Sequence, residues 1–200
     1  MLQEAELVDG RRLRRSQNRS AVVDALVELF EEGVYQPSTG EIAQRAGISA
    51  RSLFRYFDDV DDLHQAAIES QLERARPLLD PAVDADAPTR TKIAGIVEAR
   101  VHLFETIEPA ARAGRIVAHR RPLVAATVEE SRAHLRNQLR RLFATELRGE
   151  RAVFLPAIDA LCSFESYELL RVHQGLSRPK TVAALVAALT KLLDADGGSR

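Results

Sequence analysis

The chain has 200 residues, with 28 lysines and arginines against 29 aspartates and glutamates, a formal net charge of −1 and a single cysteine. An apolar share of 46% beside 28% charged residues excludes wholesale disorder, and one cysteine excludes an internal disulfide framework. A near-neutral total means that any nucleic-acid site has to come from local placement of charge, because the global field will not supply it.

Residues 1–15 show no helical period and close on Arg11-Arg12-Leu13-Arg14-Arg15, which reads as a mobile basic arm. Their start, Met1-Leu-Gln-Glu-Ala-Glu, is acidic where a secretory signal is basic and then apolar. The longest nearly unbroken apolar run, Val182 to Leu189, is far short of the ~18–20 residues of a membrane span. A cytoplasmic protein without membrane contact is therefore expected. From Gln17, the residues Val22, Val23, Leu26, Val27, Leu29 and Phe30 keep a helical period until Gly33. Ser38 with Glu41 three residues on forms a capping box, and the short helix it opens carries Ile42, Ala43 and Ala46 inward before halting at Gly47. Ser49 caps a further helix over 50–57 with Leu53 and Phe57 inward. Acidic residues then sit in the first turn of a helix over 60–76, where the macrodipole favours them, and Pro77 is expected to end it.

Residues 77–90 read as a connector. Beyond them only helical patterns follow, over 89–107 (ending before Pro109), 110–118, 122–147, 152–174 and 179–194. No stretch alternates with a two-residue period, so the expected fold is all-α. Three divisions follow: the arm 1–15, a helix-turn-helix domain over 16–60, and a larger helical domain over 61–196.

The segment that carries chemistry is Ser38 to Leu63. Two short helices meet at Ala46-Gly47-Ile48-Ser49, the layout of a helix-turn-helix, whose second helix is presented to the DNA major groove. With Leu53 and Phe57 inward, Arg51, Ser52 and Arg55 face outward and are the candidate base readers. An arginine fork matches the paired O6 and N7 acceptors of guanine. Ser38 and Ser49, at helix starts, and Tyr56 are candidates for the DNA backbone, together with Arg11, Arg12, Arg14 and Arg15.

The run Gly33…Ser38-Thr-Gly-Glu-Ile42-Ala43-Gln-Arg-Ala46-Gly47-Ile48-Ser49-Ala-Arg-Ser52-Leu53-Phe54-Arg-Tyr56-Phe57…Leu63 resembles the DNA-binding domain of the TetR (tetracycline-repressor-like) family of transcriptional regulators, over roughly residues 17–70. The resemblance implies an all-helical homodimer whose larger carboxyl-terminal domain binds a small molecule and thereby loosens DNA binding. Two positions depart from the family pattern. Phe54 stands where a tyrosine is usual, and Val60 stands where a lysine commonly contacts the backbone, with Asp58, Asp59, Asp61 and Asp62 around it. Both changes weaken the expected phosphate grip, and the acids are placed to repel DNA.

An unidentified effector is expected among the later helices, with His102, Leu103, Phe104, Val124, Phe143 and Tyr167 as candidate lining. Ile158, Cys162 and Leu169 of the 152–174 helix, with Val182, Leu185, Val186 and Leu189 of the last one, are candidates for a twofold interface. A dimer would place two reading helices about 34–36 Å apart on a pseudo-palindromic operator. The pairs Glu98/His102 and Glu130/His134 suit exposed i, i+4 contacts better than a di-iron site. No hydrolase, P-loop or zinc spacing is present, so neither an enzyme nor a cofactor nor a metal is expected. Two rival readings stay open: a helical scaffold or adaptor without DNA binding, and a helical metalloenzyme using the Glu–His pairs.

Overall fold

The computed structural model describes the backbone of residues 2–194 and the side chains of residues 15–194. Among the described residues every regular element is helical and none is a strand. The order is α1 (Leu2–Glu31), α2 (Thr39–Arg45), α3 (Ala50–Leu53), α4 (Val60–Leu79), α5 (Thr89–Ala118), α6 (Pro122–Leu142), a 3-10 segment (Gly149–Phe154), α7 (Leu155–Leu161), α8 (Phe164–Glu168), a π turn (Leu169–His173) and α9 (Arg178–Leu193). No helix among the described residues is long and apolar enough to cross a membrane.

Several boundaries differ from the sequence expectation, each for a physical reason. α1 starts at Leu2, so the stretch read as a mobile arm has a helical backbone. Its Leu, Gln, Glu, Ala and Arg content has good intrinsic helix propensity and contains no proline, which permits a helix without an apolar period. α4 and α5 each run through a proline, Pro77 and Pro109. A proline removes one backbone hydrogen bond, but apolar burial continues past Pro109 at Ala110, Ala113 and Val117 and holds the helix together. The single helix expected over 152–174 is instead a 3-10 segment, two short α-helices and a π turn. Ser163 interrupts it, because its hydroxyl accepts the Ser166 N–H and starts a new helix. The π turn closes on the Gln174 N–H donating to Leu169 O at 2.9 Å.

Contacts gather the chain into two compact units: residues up to Arg74 with Ile107–Val128, and Ala75–Thr106 with the residues from Glu129 onward. The grouping differs from a linear division at residue 60. In the first unit, Val22, Leu26 and Phe30 of α1 pack with Ile42 of α2, with Leu53 and Phe57, and with Leu63 and Ala67 of α4. Full burial of such side chains contributes ~1.5–3 kcal/mol each, enough to hold the two short elements α2 and α3, which would not be stable as isolated helices. Beyond the end of α1, Gly33 takes a φ of +84°, which lets the Val34 N–H turn back to Leu29 O at 2.9 Å.

In the second unit, Phe104, Phe164 and Tyr167 form a three-ring cluster with centroids 5.6–5.8 Å apart. Leu185, Leu189 and Leu193 are the buried apolar stripe of α9. A buried ion pair joins Lys92 of α5 to Glu146 at 2.6 Å. Lys92 also donates to the carbonyls of Ala85 and Leu142, and Thr89 donates to the same carboxylate.

Candidate nucleic-acid interface

Ser38 starts α2 through a reciprocal capping box. Its hydroxyl accepts the Glu41 N–H and donates to the Glu41 carboxylate at 2.7 Å, which in turn accepts the Ser38 N–H at 2.8 Å. These bonds hold the Glu41 carboxyl below its usual range. They also commit the Ser38 proton, so a phosphate contact from this hydroxyl would open the box. Three residues after Ile42-Ala43 the helix closes in a Schellman motif: Ala46 is the cap, the Gly47 N–H donates to Gln44 O, and the Ile48 N–H donates to Ala43 O. Gly47 takes φ +67°, a left-handed backbone that a side chain would strain. Ile48 is part-buried against the core and plugs the angle between the two helices. Arg45 pairs with Glu32 at 2.7 Å and Glu28 at 3.5 Å, which ties α2 to the end of α1 and takes that guanidinium out of contention for DNA.

Ser49 caps α3 by accepting the Ser52 N–H, and the two hydroxyls bond each other at 2.9 Å. One hydroxyl proton is used inside the pair and the other remains for a ligand. α3 itself is shorter than the expected 50–57 helix. After Leu53 the turns tighten: the Arg55 N–H reaches Ser52 O and the Tyr56 N–H reaches Leu53 O, both three residues back. Tight winding turns Arg51 and Arg55 further apart than the ~40° that a four-residue spacing gives on an α-helix. Both remain exposed, and among the described residues neither is engaged in an ion pair. Phe54 lies between them with half its surface open.

The carboxyl-terminal end of this element is braced by α1, in a way the sequence reading missed. Arg19 stacks on the Phe57 ring, 4.7 Å from its centroid, and lies 3.9 Å from Asp62. The Asn18 amide donates to the Tyr56 hydroxyl at 2.9 Å, and Arg15 reaches the Arg55 carbonyl at 3.4 Å. Residues 15, 18 and 19 share one helix face by their i, i+3, i+4 spacing. That spacing is the signal available in the sequence, hidden because the face is polar. Because Tyr56 accepts from Asn18, its own O–H is still available to donate to a phosphate.

The aspartates around Val60 are largely occupied. Asp59 accepts the Asp62 N–H and caps α4, and Asp62 accepts the Asp58 N–H. Asp61 pairs with Arg121 at 3.0 Å. Two of the four charges are thus balanced by Arg19 and Arg121, which reduces the repulsion expected of the cluster.

Other sequence candidates are dispersed. Arg11, Arg12 and Arg14 lie outside the described side chains. Of the effector candidates, Leu103, Phe104, Phe143 and Tyr167 are buried, and His102 is exposed. Val124 belongs to the other unit, where it packs with Ile68 and Val117. Of the interface candidates, Ile158, Cys162, Leu185 and Leu189 are already buried in the single chain, so they have no surface left for a twin. They point inward because α7 and α9 pack on each other. Leu169 is half exposed, with Val182 and Val186 part-buried. Burial pushes the Cys162 thiol up to about 12, where it stays protonated and inert. Glu98 is engaged by Arg178, which also binds Glu105, and His134 lies 3.2 Å from Asp80.

With this geometry in view, residues 22–67 match the family model of bacterial regulatory proteins, tetR family. A comparison with curated protein sequences finds no match. Among solved structures, a transcriptional regulator from Rhodococcus sp. Rha1 is similar, with TM-score 0.72, 15% identity, and coverage of 91% of this chain and 99% of that one. A tetR-family transcriptional regulator from Streptomyces coelicolor gives TM-score 0.69 at 17% identity over 88% of this chain and 80% of that one. The multidrug binding protein EbrR, complexed with imidazole, gives TM-score 0.63 at 18% identity over 89% and 90%.

Proposed function

We propose that this chain, a DNA-binding transcriptional regulator whose residues 22–67 form a tetR-family domain, acts as a homodimeric repressor released by a small-molecule effector. The observation that carries the DNA reading is the pair Arg51 and Arg55, exposed and without ion-pair partners among the described residues, on an element held by a capped start, a left-handed glycine turn and the α1 brace. An unpaired guanidinium on a rigid element is what bidentate recognition of guanine requires. Ser52 supplies a hydroxyl beside them. The Tyr56 and Ser49 hydroxyls, and the arginines of α1 (Arg11, Arg12, Arg14 and Arg15), act on phosphates.

One such element reads too few base pairs to find a site in a genome, and twofold pairing supplies the second. Leu169, Val182 and Val186 are the residues of the proposed interface that still present surface, and the effector is assigned to the second unit near Phe104, Phe143 and Tyr167. The family resemblance, and the imidazole held by the structurally similar EbrR, support a ligand-responsive regulator; neither identifies the ligand.

The test is selection of bound fragments from randomised duplexes, followed by titration of the selected operator with Arg51→Ala and Arg55→Ala. Each variant is expected to relax preference at one position per half-site, by ~1–3 kcal/mol of discrimination. Unchanged operator-to-random ratios in both variants would overturn the base-reading assignment.

A further inference from the structure

Three side chains of α1 meet the turns that follow α3. The Arg15 guanidinium donates to the Arg55 carbonyl at 3.4 Å, and Arg19 lies over the Phe57 ring, 4.7 Å from its centroid. The Asn18 amide N–H donates to the Tyr56 hydroxyl at 2.9 Å. The Tyr56 ring is part-buried against the core of the first unit, so packing of the ring fixes where the phenol oxygen lies. Among the described residues, neither the Asn18 amide nor the Tyr56 hydroxyl makes a further hydrogen bond.

A phenol has one proton and two lone pairs. With the amide N–H on a lone pair, the proton is left over for another acceptor. A carboxylate in the place of Asn18 could only accept, and would take that proton for itself. Accepting from Asn18 also makes the phenol a better donor, because hydrogen bonds in a chain polarise one another. The free proton stands among cations: Arg15 and Arg55 are exposed and have no ion-pair partner among the described residues. Those surroundings favour an anionic oxygen as its acceptor.

We propose that Asn18 is a positioning residue for DNA binding, whose amide holds the Tyr56 hydroxyl so that the phenol's proton goes to a backbone phosphate. The inference rests on the reading of Tyr56 as a phosphate donor and adds to it a residue that touches no DNA. Asn18 acts through the direction of one proton, so its effect disappears when Tyr56 has no hydroxyl. A plain tie between α1 and the turns after α3 would act whether or not that hydroxyl is offered to DNA.

The experiment is a double-mutant cycle on the full chain, read by fluorescence anisotropy on the selected operator and on a scrambled duplex of equal length. Tyr56→Phe is expected to weaken both duplexes about fivefold to tenfold, and Asn18→Ala about threefold, each without changing the salt slope, because a neutral donor releases no counterion. Asn18→Asp is expected to cost about tenfold or more in the native background, and at most about threefold beside Tyr56→Phe, where only the added negative charge acts. Melting temperatures of the Asn18 variants should stay with the wild type, since that side chain is exposed. Equal losses from Asn18→Asp in both backgrounds, or losses confined to the operator, overturn the role of Asn18 and leave Tyr56 on the phosphate. Wild-type affinity in Tyr56→Phe overturns both, and leaves base reading by Arg51 and Arg55 standing.

Discussion

Phe54 sits between the two candidate base readers with half its surface open, so altering its ring edge costs no packing. Phe54→Tyr adds a hydroxyl at this exposed position, and on the proposed DNA reading that hydroxyl meets a backbone phosphate. The expected gain is that of one hydrogen bond, ~0.5–1.5 kcal/mol, seen as a few-fold to tenfold tighter binding to operator and random duplex alike in fluorescence anisotropy. A gain confined to one sequence would mean that the side chain meets bases instead. His64 makes a second prediction of this kind. Burial, and then the Arg121 charge, pushes it down from 6.5 to about 4, so the folded protein refuses a proton that the unfolded chain accepts. Its contribution is fully present above pH 6.5 and is lost as pH falls through the window to 4, by roughly 3 kcal/mol in all. Urea unfolding from pH 7.5 to 4.5 should show that slope in the wild type and not in His64→Leu. The carboxyls of Glu32 and Glu41, depressed respectively by Arg45 and by Ser38, release their stabilisation only below about 4.5 and so do not confuse the window.

Among the elements, α2 and α3 were legible because their signals are local: a serine three residues before a glutamate, a glycine after the last apolar position, a serine before the next turn. Each maps onto a bond that is present. The tight winding after Leu53 and the breaks in the 152–174 segment were not legible, because an apolar period of three to four residues fits α, 3-10 and π windings alike. The Lys92–Glu146 pair was hidden for another reason. A lysine and a glutamate 54 positions apart read as two solvated charges until folding brings them to 2.6 Å with only 4% and 10% of their side chains exposed. Breaking one side of such a pair leaves a buried charge, so Glu146→Ala is expected to cost about 3 kcal/mol of stability, while the double change Lys92→Met with Glu146→Leu costs far less. Chemical denaturation of the two variants decides it; equal losses would mean that packing, not charge, is what Glu146 provides.

For the whole molecule, the consequential question is what twofold pairing adds. The expected interface residues Ile158, Cys162, Leu185 and Leu189 are buried inside one chain, so the hydrophobic stripe that suggested a dimer is largely the unit's own core. Of the candidates, Leu169 at 49% exposed keeps the most surface, and the proposed pairing puts the second copy there. On the proposed pairing, Leu169→Arg removes little intrachain packing and is expected to leave a monomer where the wild type sediments as a dimer at micromolar concentration. Operator affinity should fall by about 10²-fold or more, because the second reading element loses its tether, while the melting temperature of dilute protein barely moves. A variant that stays dimeric would rule out an interface at Leu169.

The amino-acid order alone determined that the regular elements of the described residues are helical and where the helix-turn-helix lies, because caps, glycine turns and apolar periods act over three to five residues. Tertiary packing alone decided which polar side chains became braces and which stayed open. Asn18 and Arg19 hold the segment that follows α3, Arg45 is held by Glu28 and Glu32, and two of four aspartates are balanced by arginines 43 and 60 positions away. Charge and hydrogen-bond pairing depend on distance in space, and a linear sequence specifies that distance only through the completed fold.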